Sequence, residues 1–435
     1  MTVLKSTSRS TSAIERLIFN TSIQVTDFTI LEGICGVGKS TRMIKYIRDN
    51  PEERYLVVLP LLDEIDRYQE KLPELTFKVP SKKNKNGTKT EQFKNFLRDN
   101  SNILCTHALF SLWDTEIEGL IADAGYHIVI DEEAGIIEPV GINAKVIENL
   151  KKLKYISIDP STGLVTWDYE ESGYDYDGER EHKTVISKAK SGSLYCFDDK
   201  FFVYELPHRL FIIGDKYTIM TYLFQGNFMD AYFNSHGIEY NIKQIDPEEA
   251  RNIKERAREL IEFVPMTANM KSICDKYKRS KPFSKGFIGR MTHKERKSFC
   301  DGIRNIVYKR EKYDIARVMI TCFKCFMKTD DDKVPKKNMM PRSMDTRFVP
   351  MNARGSNQWA DRDFVIHMVD HYPEPSLDKY LHARSNGSYD PDIYALSMLV
   401  QYIFRSAIRD GKHIKLMICS SRMETLFKNW LAKPE

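Results

Sequence analysis

Residues 23–32, IQVTDFTILE, are rich in β-branched side chains and run straight into a glycine-rich stretch, a pattern that predicts a buried strand feeding a loop. A helix is expected over 40–49, a strand over YLVVLP at 55–60 and a charged helical period over 62–72. Strand and helix therefore alternate as in a parallel sheet. NILCTHALF at 102–110 and HIVIDEEA at 127–134 read as further strands, the second ending in acids. Between 155 and 206 the alternation lapses into short strands with turn punctuation, DPSTG and the acidic YEESGYDYDGE, which predicts a β-rich insertion. It resumes with LFIIGDKYTIMTYLF at 210–224 and closes near residue 245. DPEEARNIKERARELI at 246–261 starts with Asp as N-cap and Pro as first helical residue. Beyond it, strands near 286–289, 317–323, 363–369 and 414–419 alternate with helices again. The expected fold class is α/β: a flexible leader at 1–22, a first lobe at 23–245 with its insertion at about 155–206, and a second lobe at 246–435.

Composition agrees with two lobes. A chain of 435 residues exceeds what one core usually organises, and 42% hydrophobic residues exclude a disordered chain. Apolar runs fall far short of the ~20 residues that span a bilayer, so no membrane partner is expected and the location is cytoplasmic. The Ser/Thr-rich, basic start lacks the apolar core of a secretory signal. Of eight cysteines only Cys322 and Cys325 form a C-x-x-C pair, and no second pair completes a four-ligand zinc site. Net charge is a modest +5, so an argument for nucleic acid rests on local basic segments. These are 82–89, 334–342 and 270–297, the last interleaved with Tyr277 and Phe283 in the manner of a groove that tracks a backbone and stacks bases. The acidic insertion should repel phosphates.

GICGVGKS at 33–40 matches G-x-x-x-x-G-K-[ST] between a predicted strand and a predicted helix, the context the motif needs. The backbone of Gly33, Ile34, Cys35, Gly36, Val37, Gly38, Lys39, Ser40 and Thr41 is expected to wrap the phosphates of a nucleotide at the positive end of the following helix. Lys39 would neutralise the β- and γ-phosphates and Ser40 would ligate Mg2+. Asp131 and Glu132, at the end of the apolar strand HIVI, stand where such a site needs a metal carboxylate and a water-activating base. Gln401, Arg405 and Arg409 fall within a helical period over 394–410 that stops at Gly411. Spacings of four and eight place them on one helix face within about 80°. The guanidinium fork suits a phosphate, and either arginine can serve as the finger.

A P-loop, a strand ending in Asp-Glu and a Gln-Arg helix, in that order, resemble superfamily 2 helicases of the DEAD/DEAH-like kind, nearest in wording to predicted phage or mobile-element helicases. The resemblance implies two RecA-like lobes that bind ATP and Mg2+ in their shared cleft. The activity it implies is ATP-dependent movement along nucleic acid, DNA rather than RNA, in phage DNA replication, recombination or repair, alongside a replication or recombination protein. It also implies nucleic-acid contacts at Pro60 in VVLPLLDE, at Thr106 and His107 in ILCTHALF, and at Arg354 with Gly355 in NARGSN, with Thr221 at the coupling motif. Three positions depart from the pattern: Ala134 stands where Asp or His is usual, Phe404 where glycine is usual, and the second arginine comes one residue late. No adenine-reading glutamine motif precedes Gly33, so ATP over GTP rests on the resemblance. Two other functions fit the P-loop. One is a packaging ATPase joined to a nuclease, recruiting Asp361, Asp363 and Asp370 for two metals, which leaves the Gln-Arg-Arg segment unexplained. The other is a non-motor switch or loader whose nucleotide state governs a protein partner.

Overall fold

The computed structural model describes residues 27–81, 88–132, 135–168, 182–277, 281–327, 337–351 and 358–433. Its first lobe holds strands β1 (Asp27–Glu32), β2 (Arg54–Leu59), β3 (Phe77–Lys78), β4 (Asn102–Thr106), β5 (Tyr126–Asp131), β6 (Ile137–Val140), β7 (Ile156–Ile158), β8 (Val165–Trp167), β9 (Leu194–Phe197), β10 (Phe201–Glu205), β11 (Lys216–Thr221) and β12 (Asn241–Gln244). Seven of them form one parallel sheet in the order β12-β1-β11-β5-β2-β4-β3. The strand leading into the glycine loop is thus separated from the acidic strand β5 by β11 alone.

Alternation along the strands fills two cores. Phe28, Ile30, Leu56, Val58, Ile128, Ile130, Tyr217 and Ile219 pack on one face; Tyr55, Val57, Leu59, Leu104, Val129 and Met220 pack on the other. Burial on both faces is why these strands read as continuous apolar runs. Phe28 and Tyr217, paired across β1 and β11, stack at 4.9 Å.

The insertion is a three-stranded antiparallel sheet, β6-β10-β9, beside the hairpin β7-β8 and the helices Ala144–Lys152 and Lys183–Lys190, with a core of its own around Ile147, Val185 and Phe202. Its sheet draws in Ile137–Val140, ahead of residue 155. The described helix Lys183–Lys190 is basic, and the acidic stretch 169–181 lies outside the described residues.

The second lobe is a four-stranded parallel sheet in the order β13-β16-β15-β14, from β13 (Ile261–Phe263), β14 (Val318–Thr321), β15 (Phe364–His367) and β16 (Ile414–Ile418). The fold is accordingly mixed α/β, with two parallel sheets and a small antiparallel insertion. Among the described residues no helix is long and apolar enough to cross a membrane.

Four expectations are corrected. Residues 286–289 belong to a helix, Lys285–Arg290, because the Ser284 side chain caps it by accepting from the Phe287 amide. The strand expected over 102–110 stops at Thr106 and turns into a short helix, His107–Phe110. Strand β13 was missed because it follows the helix Pro247–Leu260 with no glycine or polar break between them. Lastly, the helical period over 394–410 is not one helix: Pro391–Ile403 is helical, and Ala407–Asp410 is a separate 3₁₀ turn ending at Gly411.

Candidate active site

The glycine loop is built by backbone demands. Gly36 and Gly38 have φ of 94° and 86°, a left-handed conformation costly for any residue with a Cβ. A Cβ on Gly33 would meet Val37 Cγ1 at 2.7 Å, and the Gly33 amide donates to Thr221 O at 3.0 Å, tying the loop to the end of β11. The helix Lys39–Asp49 has neither a capping side chain nor an acid in its first turn, so its leading amides and positive dipole end are left to an anion. Lys39 lies back over the loop, its Nζ donating to Gly33 O at 2.7 Å.

Ser40 Oγ donates to Asp131 Oδ2 at 2.9 Å, so the hydroxyl and the carboxylate expected to share a metal already meet. Burial pushes the Asp131 carboxyl up to about 7, with the negative charge of Glu132 adding to the rise, while Ser40 and Lys39 pull the other way. Glu132 has φ 60°, and its amide donates to Met220 O at 3.0 Å, which fixes a turn immediately after β5. His107 is half-buried with a ring nitrogen donating to Asp131 O at 2.9 Å; it steadies the acidic strand end.

The opposing wall comes from the second lobe. Gln401, Phe404, Arg405, Arg409 and Asp410 close a cleft of about 320 Å³ whose other side is Cys35, Gly36, Lys39, Ser40, Asp131 and Glu132. Gln401, Arg405 and Arg409 therefore do converge, although the single helix face that predicted it does not exist. Arg405 is buried and donates to Met351 O at 3.2 Å. Pro60 lines this same cleft, whereas Thr106 ends β4 one residue ahead of His107.

Two residues of the cleft were missed in the sequence, Glu64 and Arg67, paired at 3.2 Å on the helix Leu62–Lys71, with Arg67 also donating to Thr41 Oγ1 at 3.1 Å. Their position on the helix directly after β2, at the same sheet edge as the P-loop, was the available signal.

Other candidates do not assemble. Arg354, Gly355 and Ala134 lie outside the described residues, as does most of 82–89. Phe283 is fully buried, packed on Phe287 and Phe299, and cannot stack a base; Tyr277 donates its hydroxyl to Glu295 at 2.7 Å. Asp361 pairs with Arg362, Asp363 with Arg317, and Asp370 with Arg422 and Ser420. Among the described residues no group of three or more His, Cys, Asp or Glu could hold a metal.

The cleft's chemistry suits a metal-bound polyphosphate. Open amides and Lys39 offer donors for phosphate, while Ser40 and Asp131 offer the hard oxygen ligands that Mg2+ prefers. A stability prediction follows from Asp131. Its folded value near 7 lies above the usual 3.8, so the folded protein binds the extra proton between those values. The stability this contributes is complete below the lower value and is lost as pH rises through 7. Asp131→Asn removes the buried charge, and the variant should melt about 3 °C or more above the unaltered protein at pH 8, with a smaller gap at pH 5 that closes further toward pH 4. A lower melting point at pH 8, measured by calorimetry without nucleotide, would contradict the assignment of Asp131 as a strained, buried carboxylate.

Residues 255–431 match the family model described as the YonV C-terminal Rossmann-like domain. Among known proteins, the SPbeta prophage-derived uncharacterized protein YonV of Bacillus subtilis (strain 168) is 24% identical over 421 residues, spanning 92% of this chain and 98% of that protein. Among solved structures, an XPD helicase aligns over 94% of this chain and 96% of its own at 12% identity and a TM-score of 0.49. Xpd4 of S. tokodaii aligns over 93% and 94% at 12% identity and a TM-score of 0.45. Over nearly its whole length the chain is similar to the prophage-derived YonV protein, and the stretch matching the Rossmann-like domain supplies Gln401, Arg405 and Arg409 to the cleft.

Proposed function

We propose that the chain is an ATP-dependent nucleic-acid helicase or translocase, hydrolysing ATP between two RecA-like lobes, with DNA as its track and a role in phage DNA replication, recombination or repair. One observation carries the reading: a single cleft joins the P-loop, Asp131 and Glu132 of one lobe to Gln401, Arg405 and Arg409 of the other. Likeness to a prophage-derived protein supports the phage setting.

In this account the amides of residues 33–41 hold the phosphates, and Lys39 exchanges the Gly33 carbonyl for phosphate oxygens. Ser40 and Asp131 would hold Mg2+, which when bound neutralises charge on the β- and γ-phosphate oxygens. Glu132 accepts the proton of the attacking water. Arg405 lines a recess of about 250 Å³ on the Glu132 side of the cleft, together with Lys39 and Gln401, and so serves the γ-phosphate end. Arg409 lines the opposite end. Because the two walls belong to different lobes, nucleotide draws the lobes together and loss of the γ-phosphate releases them, which is the motion a stepping motor requires.

The burial of Phe283 removes one expected base-stacking platform and favours a second reading, a nucleotide switch that acts on a protein partner. Steady-state ATP hydrolysis measured with single-stranded DNA, duplex DNA and RNA separates the two. A motor is expected to speed up at least about tenfold on its own track, since the track completes closure. A rate unaffected by every polymer contradicts the motor and leaves the switch.

A further inference from the structure

Between β15 and the helix Pro391–Ile403 the chain of the second lobe crosses to the first. Leu377, Tyr380, Leu381 and Tyr389 are buried in the same core as Phe28 and Tyr217, and the Tyr380 hydroxyl donates to Glu205 of the insertion at 2.8 Å. The crossing chain then runs against Gly226: the Asp390 amide donates to Gly226 O at 2.8 Å, and a Cβ on Gly226 would meet Ile393 Cγ1 at 3.2 Å and Asp390 Cβ at 3.3 Å. Two residues on, Phe228 is gripped by two tyrosines of the same chain. It stacks on Tyr394 with ring centroids 4.3 Å apart and planes 8° from parallel, and it meets Tyr389 at 5.8 Å.

The stack stands beside the chemistry. Phe228 and Tyr394 line the recess of about 250 Å³ that also takes in Lys39, Glu132, Gln401 and Arg405. Tyr394, Ser397, Met398 and Gln401 all line it, and their spacing of i, i+3, i+4 and i+7 is one face of the helix Pro391–Ile403. Tyr394 therefore lies two turns, roughly 10 Å, before Gln401 on that face. Gln401 donates to Ser397 Oγ at 3.2 Å, one turn nearer the stack. Phe228 opens the helix Phe228–His236, whose N-cap Asn227 accepts from the Met229 and Asp230 amides, so its ring is carried on a fixed element of the first lobe. Across the recess the two walls face open space; at this stack one ring from each lobe is in contact.

We propose that Phe228 and Tyr394 are positioning residues for hydrolysis: their stack sets the angle at which the helix Pro391–Ile403 carries Gln401, and Arg405 just beyond its end, over Glu132 and Lys39. The proposal rests on the hydrolytic reading of the cleft above. Stacked rings hold the separation and tilt of the elements that carry them. An error of about 1 Å in the placement of a catalytic group can cost on the order of 10²-fold in rate, and two turns of helix convert a small tilt at Tyr394 into such an error at Gln401 and Arg405. Nucleotide affinity rests on the loop amides and Lys39 of the first lobe, so it does not pass through the stack. Closure of the lobes then turns about this contact.

Single-turnover ATP hydrolysis, titration calorimetry with a non-hydrolysable Mg-ATP analogue and a melting curve test it on the unaltered chain, Phe228→Ala, Tyr394→Ala, the double variant and Tyr394→Phe. Both rings are half-buried. Each alanine is expected to slow hydrolysis about tenfold or more and to leave affinity for the analogue within about threefold. The double variant should lose no more than about twofold beyond the slower single variant, because both changes remove one contact. Tyr394→Phe keeps the ring and should stay within about threefold of the normal rate. Folded alanine variants that hydrolyse at the normal rate, losses that multiply in the double variant, affinity that falls along with the rate, or a Tyr394→Phe as slow as Tyr394→Ala would overturn the positioning role. Should one alanine variant not fold, the other decides together with Tyr394→Phe. An unaltered chain that hydrolyses no ATP contradicts the hydrolytic reading itself, and the positioning role falls with it.

Discussion

Glu132→Gln is expected to bind Mg-ATP as tightly as the unaltered protein and to hydrolyse it about 10²–10⁴-fold more slowly, the usual contribution of a positioned general base. The replacement keeps the shape of the side chain, and the turn that presents it is held by the backbone bond from the Glu132 amide to Met220 O. Loss of rate therefore reports the missing base and not a moved loop. A second effect accompanies it. The charge of Glu132 helps to raise the Asp131 carboxyl, so its removal lets Asp131 ionise at lower pH. Mg2+ binding to Glu132→Gln should then persist to lower pH than in the unaltered chain. Single-turnover hydrolysis and a metal titration across pH 5–8 measure both, and a rate within threefold of normal would place the base elsewhere.

Arg405 and Arg409 should separate by kinetic parameter. Arg405 shares its recess with Glu132 and Lys39, so Arg405→Ala is expected to lower kcat by about 10³ or more, the scale of an arginine finger. Arg409 faces the other end, and Arg409→Ala should chiefly raise KM. Arg405 also donates to Met351 O from a buried position, so its truncation can cost stability. Arg405→Lys serves as the control: it keeps the charge and loses the planar fork, and should still lose more than about tenfold in kcat. The reverse pattern, with Arg409→Ala losing kcat and Arg405→Ala losing KM, would assign the finger to Arg409.

What the sequence made legible is what short-range chemistry dictates. The glycines of the P-loop are forced by positive φ, and β1 and β5 are apolar runs buried on both faces, so loop and acidic strand end were readable from local pattern. The same holds for the Asp246-Pro247 helix start. Failures arise where a distant partner decides. After Ile403 the chain could have stayed helical, but the Ala407 amide donates to Arg362 O at 2.7 Å and Phe404 turns in against Trp430, so the helix breaks. The arginines reach the cleft through that break. Residues 286–289 look like a strand until Ser284 is seen to cap them, and Phe283 looks like a stacking platform until the core closes over it. Glu64 and Arg67 carry no motif; only the packing of their helix beside Thr41 brings them to the site.

The central claim is that the P-loop and the second lobe's arginines form one hydrolytic cleft, and its most direct test is the Mg2+-dependent ATP hydrolysis rate of Lys39→Ala beside that of the unaltered protein. The account predicts hydrolysis by the unaltered protein and a loss of about 10²-fold or more in the variant, with a fold that survives the substitution, because among the described residues the hydrogen bonds of the Lys39 side chain go to the loop's own carbonyls. A folded Lys39→Ala protein that hydrolyses ATP at the full rate would contradict it.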